Sequence, residues 1–148
     1  MNKQIREAVE LFEEVMIFGT ARVIRTVDNP LWKEYSPQQI QMLKIIHKYG
    51  PITSGRLADV QGVHKSAISN RLKKLSDQGL IQMVKTETDQ RAKLLELTEE
   101  GARIVLQSDR VLYEYLEQLL SGQVEEQEVE QFIAMFRKLK NILRWDGE

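Results

Sequence analysis

The chain contains no cysteine. That excludes disulfides, thiolate metal sites and thiol-based redox sensing. It has two histidines, His47 and His64, and no convincing metal spacing among its His, Asp and Glu residues, so neither a metal nor a cofactor is expected. There is no nucleophile–base pair and no phosphate-cradling glycine loop, which argues against an enzyme. No apolar run approaches the ~20 residues needed to span a bilayer. The opening MNKQIREAVELFEE turns acidic where a signal peptide would carry its apolar segment. The expectation is a soluble, cytoplasmic protein with no membrane association. Internal repeats and low-complexity tracts are absent too.

What remains is 148 residues, 42% of them hydrophobic. That is enough for one domain with a core, or one domain plus an oligomerisation element. Net charge is −1 but uneven: residues 53–93 hold eight Lys/Arg against four acids, and the remainder is acidic. A local basic face on an acidic protein can hold phosphates while the rest of the surface repels them.

Hydrophobic periodicity predicts a first helix over about residues 3–27, through Ile5, Val9, Phe12, Met16, Val23 and Val27, with Gly19 interrupting. Asp28-Asn29-Pro30 ends it, and residues 28–35 form a connector. Ser36-Pro37 opens a second helix as N-cap and first helical residue, and Tyr49-Gly50-Pro51 stops it. A short third helix follows Thr53, with Leu57, Ala58 and Val60 inward, and Gly62 makes the turn. The fourth runs from near His64 to Gly79, with Ala67, Ile68, Leu72 and Leu75 on its buried side. Leu80–Val84 and Leu94–Leu97 read as strands of a hairpin with a charged tip. Thr98 caps a fifth helix to about residue 120, with Glu99 and Glu100 favourably placed in its first turn. A sixth starts in the acidic run Glu125, Glu126, Glu128, Glu130 and continues to Trp145. The fold class is therefore mainly α with a small β-hairpin.

The third and fourth helices, joined at Gly62-Val63, have the spacing of a helix-turn-helix. The polar side of the fourth carries Lys65, Ser66, Ser69, Asn70, Arg71, Lys73 and Lys74, with no acid between Lys65 and Ser76. These residue types bond phosphates and base edges, which points to double-stranded DNA as partner. At the hairpin tip Asp89 precedes Arg91 by two residues, with Lys85 and Lys93 on the arms. A guanidinium there can enter an A·T-rich minor groove, and the carboxylate can orient it.

Taken together, Leu57-Ala58, Gly62-Val63, Ser66-Ala67-Ile68-Ser69-Asn70, Leu75, Gly79-Leu80-Ile81, Asp89-Gln90-Arg91 and Leu97-Thr98-Glu99-Glu100-Gly101 resemble the MarR family of winged helix-turn-helix regulators. The resemblance spans essentially the whole chain. It implies a homodimer formed through the first, fifth and sixth helices, bound to a pseudo-palindromic operator, most often as a repressor released by a small ligand. Residues 31–97 would be the DNA-binding domain, flanked by a dimerisation region of residues 1–30 and 98–148. By position, Ser66, Ala67, Asn70 and Arg71 would face bases, Arg91 would enter the minor groove, and Lys65, Lys73 and Lys74 would hold backbone. Three departures weaken the implied complex. His64 replaces a frequent serine N-cap, so the helix start is expected to fray. Met83 replaces a common basic residue, and Gln90 the first arginine of D-R-R.

The fifth helix, roughly 34 Å long, exceeds what a small winged domain can cover, and the terminal helices are apolar on one side as well. A partner chain is the simplest cover. For an effector, the resemblance leaves an aromatic or anionic small molecule between the dimer helices and the winged domain, with Arg22, Trp32, Tyr35 and His47 as candidate contacts. Control by abundance alone is the other option. A winged-helix module that binds protein rather than DNA is the alternative function, and the basic fourth helix speaks against it.

Overall fold

The computed structural model describes residues 2–85 and 93–144. Helix α1 (Lys3–Thr26) starts at Asn2, whose side chain accepts the Gln4 N–H at 2.9 Å. It runs unbroken through Gly19, where an interruption was expected. Nothing lies within 4 Å of the position a Gly19 Cβ would occupy, and the penalty of about 1 kcal/mol for one helical glycine does not break so long a helix.

The expected connector contains a helical turn, α2 (Leu31–Glu34). Asn29 makes it: its side-chain oxygen accepts the Leu31 N–H at 3.0 Å, and its carbonyl accepts that of Trp32 at 3.0 Å. Helix α3 (Pro37–Tyr49) opens on a capping box. Gln39 N–H donates to Ser36 Oγ at 3.2 Å, and Ser36 N–H donates to Gln39 Oε1 at 3.0 Å. This satisfies two donors that a helix start otherwise leaves unpaired.

A two-residue strand that the sequence did not reveal, β1 (Ile52–Thr53), precedes α4 (Ser54–Gln61) and α5 (Lys65–Asp77). Strands β2 (Ile81–Lys85) and β3 (Lys93–Leu97) follow, within one residue of expectation. The sheet has order β1-β3-β2, all antiparallel. Leu95 pairs with Ile52 on one side and Met83 on the other. Helix α6 (Glu99–Leu120) and helix α7 (Glu126–Leu143) complete the chain. Trp145, expected in the last helix, lies outside the described residues.

Packing divides the chain into two compact units, Met1–Leu112 and Tyr113–Glu148. Every buried residue described lies in the first. There Met42 and Leu43 of α3, Leu57 of α4, Ile68 and Leu75 of α5, Leu80, and Ile104 of α6 reach 0% exposure. Each such side chain contributes about 1.5–3 kcal/mol relative to exposure. Lys44 pairs with Asp109 at 2.6 Å, tying α3 to α6. In the second unit, Phe132 and Phe136 of α7 stack with centroids 4.2 Å apart. Neither α1 nor α7 has a buried residue.

Candidate nucleic-acid interface

Thr53 starts α4 by accepting the Arg56 N–H at 3.1 Å. The helix ends at Gly62, whose φ of 65° is left-handed. There Gly62 N–H bonds Asp59 O at 3.1 Å and Val63 N–H bonds Ala58 O at 3.0 Å. The same device recurs at the end of α5. Gly79 has φ 73°, Gly79 N–H bonds Ser76 O at 3.0 Å, and Leu80 N–H bonds Leu75 O at 3.0 Å. Both are Schellman endings, in which a left-handed glycine lets the next apolar residue fold back onto the helix. Gly-Val and Gly-Leu are thus two uses of one stop signal, and they fix both ends of the unit that carries α5.

Ile68 and Leu75 anchor α5 in the core, with Leu72 half-buried. Lys65, Ser66, Ala67, Ser69, Asn70, Arg71, Lys73 and Lys74 are all exposed. Ala67, expected on the buried side, is therefore on the polar side: one residue from Ile68 is about 100° of rotation. His64 is the N-cap and makes no side-chain capping bond, as its chemistry suggested. Ser69 Oγ donates to Lys65 O at 3.0 Å. The Lys65 stem crosses α4 at Gly55, with Cε 3.1 Å from where a Cβ would sit.

The L-T-E-E-G segment locks the winged element to the base of α5. Thr98 N–H donates to Leu80 O at 3.0 Å, and Thr98 Oγ1 donates to Gly79 O at 2.7 Å while accepting the Gly101 N–H at 3.1 Å. A Cβ on Gly101 would collide with the Leu80 carbonyl oxygen. Only glycine permits that approach. Across β2 and β3, Gln82 Nε2 donates to Glu96 Oε1 at 2.8 Å, and Met83 is 54% exposed. Lys85 ends β2, and Asp89 and Arg91 fall outside the described residues.

Two clefts flank α5. One, of about 330 Å³, lies toward the sheet, with Ser54, Ser69, Lys73 and Lys93 around apolar Leu72 and Met83. The other, of about 230 Å³, is lined by Ser36, Gln38, Gln39, Arg71 and Lys74. Ser54, Ser36 and Gln38 were not among the candidate contacts read from the sequence. Only the fold brings the start of α3 beside α5.

The four effector candidates are spread over three helices and the junction between α2 and α3. Arg22 is exposed on α1, His47 is exposed on α3, Trp32 is half-buried, and Tyr35 is buried in the core. None lines either cleft. Burial first, then hydrogen bonding to and the charge of Glu34, push the Tyr35 phenol above its ordinary pKa. Among the described residues no three His, Asp or Glu side chains gather as a metal site, and no helix is long and apolar enough to cross a membrane.

A helix-turn-helix with an outward basic second helix, followed by an antiparallel sheet, defines a winged helix-turn-helix DNA-binding module. The MarR family pattern matches residues 35–93. Over 144 residues the chain is 38% identical to the uncharacterized HTH-type transcriptional regulator YdgG of Bacillus subtilis, covering 95% of this chain and 94% of that one. Its fold is similar to that of the transcriptional regulator BldR from Sulfolobus solfataricus (TM-score 0.68, 26% identity, 97% of this chain and 100% of that one). It is also similar to Staphylococcus aureus MarR in complex with salicylate and kanamycin (TM-score 0.74, 18% identity, 93% of each chain). The chain belongs to the MarR family of DNA-binding transcriptional regulators.

Proposed function

We propose that two copies of this chain bind one pseudo-palindromic operator as a repressor. The carrying observation is the outer face of α5, where eight exposed residues from Lys65 to Lys74 include four cations and no acid. Placed in a major groove, Ser66, Ala67 and Asn70 meet base edges, while Lys65, Lys73 and Lys74 neutralise phosphates. Ser69 and Lys85 add backbone contacts, and Arg91, oriented by Asp89, reaches the minor groove.

The exposed apolar faces of α1 and α7 support the dimer. Phe12, Phe18, Phe132 and Ile142 are 52%, 67%, 59% and 68% exposed, and a second copy is the economical cover for such faces. In this reading residues 31–97 carry DNA binding, and residues 1–30 and 98–148 carry dimerisation. The salicylate held by Staphylococcus aureus MarR supports an aromatic anion as the releasing ligand, with Arg22, Trp32, Tyr35 and His47 as candidate contacts.

Selection of bound duplexes from a random pool tests the proposal. The expected product is a site with twofold symmetry whose affinity falls steeply with salt. Asn70→Ala should relax base preference at one position of each half-site by about 1–3 kcal/mol while leaving random DNA unaffected. A pool without enrichment would remove the sequence-specific reading. Salicylate that leaves the selected complex intact at millimolar concentration would remove the aromatic-anion reading alone.

A further inference from the structure

We infer that the cleft between α5 and the start of α3 is a seat for one DNA backbone phosphate, with Arg71 as its principal cation. The inference deepens the DNA-binding reading and rests on α5 lying in the major groove. It assigns Arg71 to the backbone, not to the base edges that family resemblance implies.

The helix geometry is the first support. At about 100° per residue, Ile68 and Leu75 mark the buried direction of α5, and Ser66 and Asn70, proposed base readers, point roughly opposite. Arg71 sits only about 50° from the buried direction, on the flank of the helix. Its neighbours in the cleft are Lys74, Ser36 and Gln38, three donors and no carboxylate. A duplex that takes a helix into its major groove runs its backbone past the helix flanks, where a guanidinium is well suited to phosphate oxygens.

The second support is the rigidity of the cleft floor. Gln39 is buried and uses both ends of its amide. Its oxygen accepts from Ser36 N–H at 3.0 Å, and its nitrogen donates to Gln78 Oε1 at 3.0 Å, next to the end of α5. The start of α3 is thereby linked to the end of the recognition helix, which favours keeping Ser36 beside Arg71 and Lys74. Ser36 Oγ accepts the Gln39 N–H at 3.2 Å, so its hydroxyl hydrogen still has donor capacity toward the cleft.

The test combines protein variants with duplexes carrying single methylphosphonate linkages, which delete one backbone charge at a time. Arg71→Ala should lower affinity for operator and random duplex by the same factor, about tenfold, and reduce the salt slope by about one per half-site. Arg71→Lys should recover most of it. One methylphosphonate position per half-site should weaken wild type and leave Arg71→Ala unaffected. Ser36→Asp keeps a capping oxygen but adds a negative charge, so it should weaken both duplexes with an unchanged melting temperature, and Ser36→Asn should not. A loss confined to the operator would make Arg71 a base reader and overturn the assignment. So would a melting temperature raised by inorganic phosphate in wild type but not in Arg71→Ala, with equal DNA affinity, which marks a free-anion site. If wild type binds no duplex at low salt, the DNA-binding reading itself has failed, which is a separate result.

Discussion

Helices of the same amphipathic kind build two regions of this molecule and meet different surroundings. Between Leu31 and Val105, short helices and three strands close on one another until Met42, Leu43, Leu57, Ile68, Leu75 and Leu80 are fully buried. Helices α1 and α7 are longer, carry six phenylalanine or methionine side chains on exposed positions, and bury nothing. Periodicity says that a face needs covering, but not whether the cover lies in the same chain. In the winged region the covering residues are close in sequence, joined by short turns that glycine and capping residues fix. At the termini the cover is proposed to be a second copy.

The largest expected effect comes from attacking the terminal faces. Phe132→Glu with Phe136→Glu should give a single-chain mass by sedimentation and lower operator affinity by at least about a hundredfold, because two linked half-site contacts become independent. Circular dichroism should still show a folded helical protein. A persistent dimer would move the interface off α7.

The winged region should respond differently, by losing stability rather than mass. Gly101→Ala forces a Cβ toward the Leu80 carbonyl and should cost about 2–4 kcal/mol in denaturant unfolding. Wild-type stability would show that α6 can shift away from the sheet without cost. Tyr35 offers a smaller, pH-dependent probe. Its folded pKa is raised, so the stability it contributes is complete below the ordinary phenol pKa of about 10 and is lost as pH rises through the folded value. Tyr35→Phe should cost about 1 kcal/mol or less at neutral pH and flatten the alkaline decline. An unchanged decline would assign it to other groups. The smallest change should be a gain: His64→Ser supplies the missing cap of α5, worth about 0.5–1 kcal/mol. Amide exchange in the first turn of α5 should slow accordingly, and no slowing would mean that turn is already held by its packing.

Much of the winged region was legible in the residues because its signals are local. Ser36-Pro37, Thr53, Gly62, Gly79 and Thr98 each mark a boundary by a bond to a residue two to five positions away, and the observed elements begin and end beside them. The features that escaped depend on partners far along the chain. Strand β1 exists because Ile52 pairs with Leu95. The requirement for glycine at 101 arises from Leu80. Ala67 looked buried because it adjoins Ile68, although small side chains carry little periodic signal. The cleft at Arg71 needs Ser36 and Gln38, more than thirty residues earlier. Residue types on α5 were readable as DNA contacts, but the division between base edge and backbone depends on what flanks the helix.

The central claim is that two copies of α5 enter successive major grooves of one duplex. Sedimentation equilibrium of the protein with its selected operator, at low ionic strength, measures it most directly. The expected complex holds two chains per duplex, and changing the half-site spacing by half a helical turn, about 5 base pairs, should abolish it. A single chain that sediments alone, leaving duplex DNA unbound, would contradict the claim.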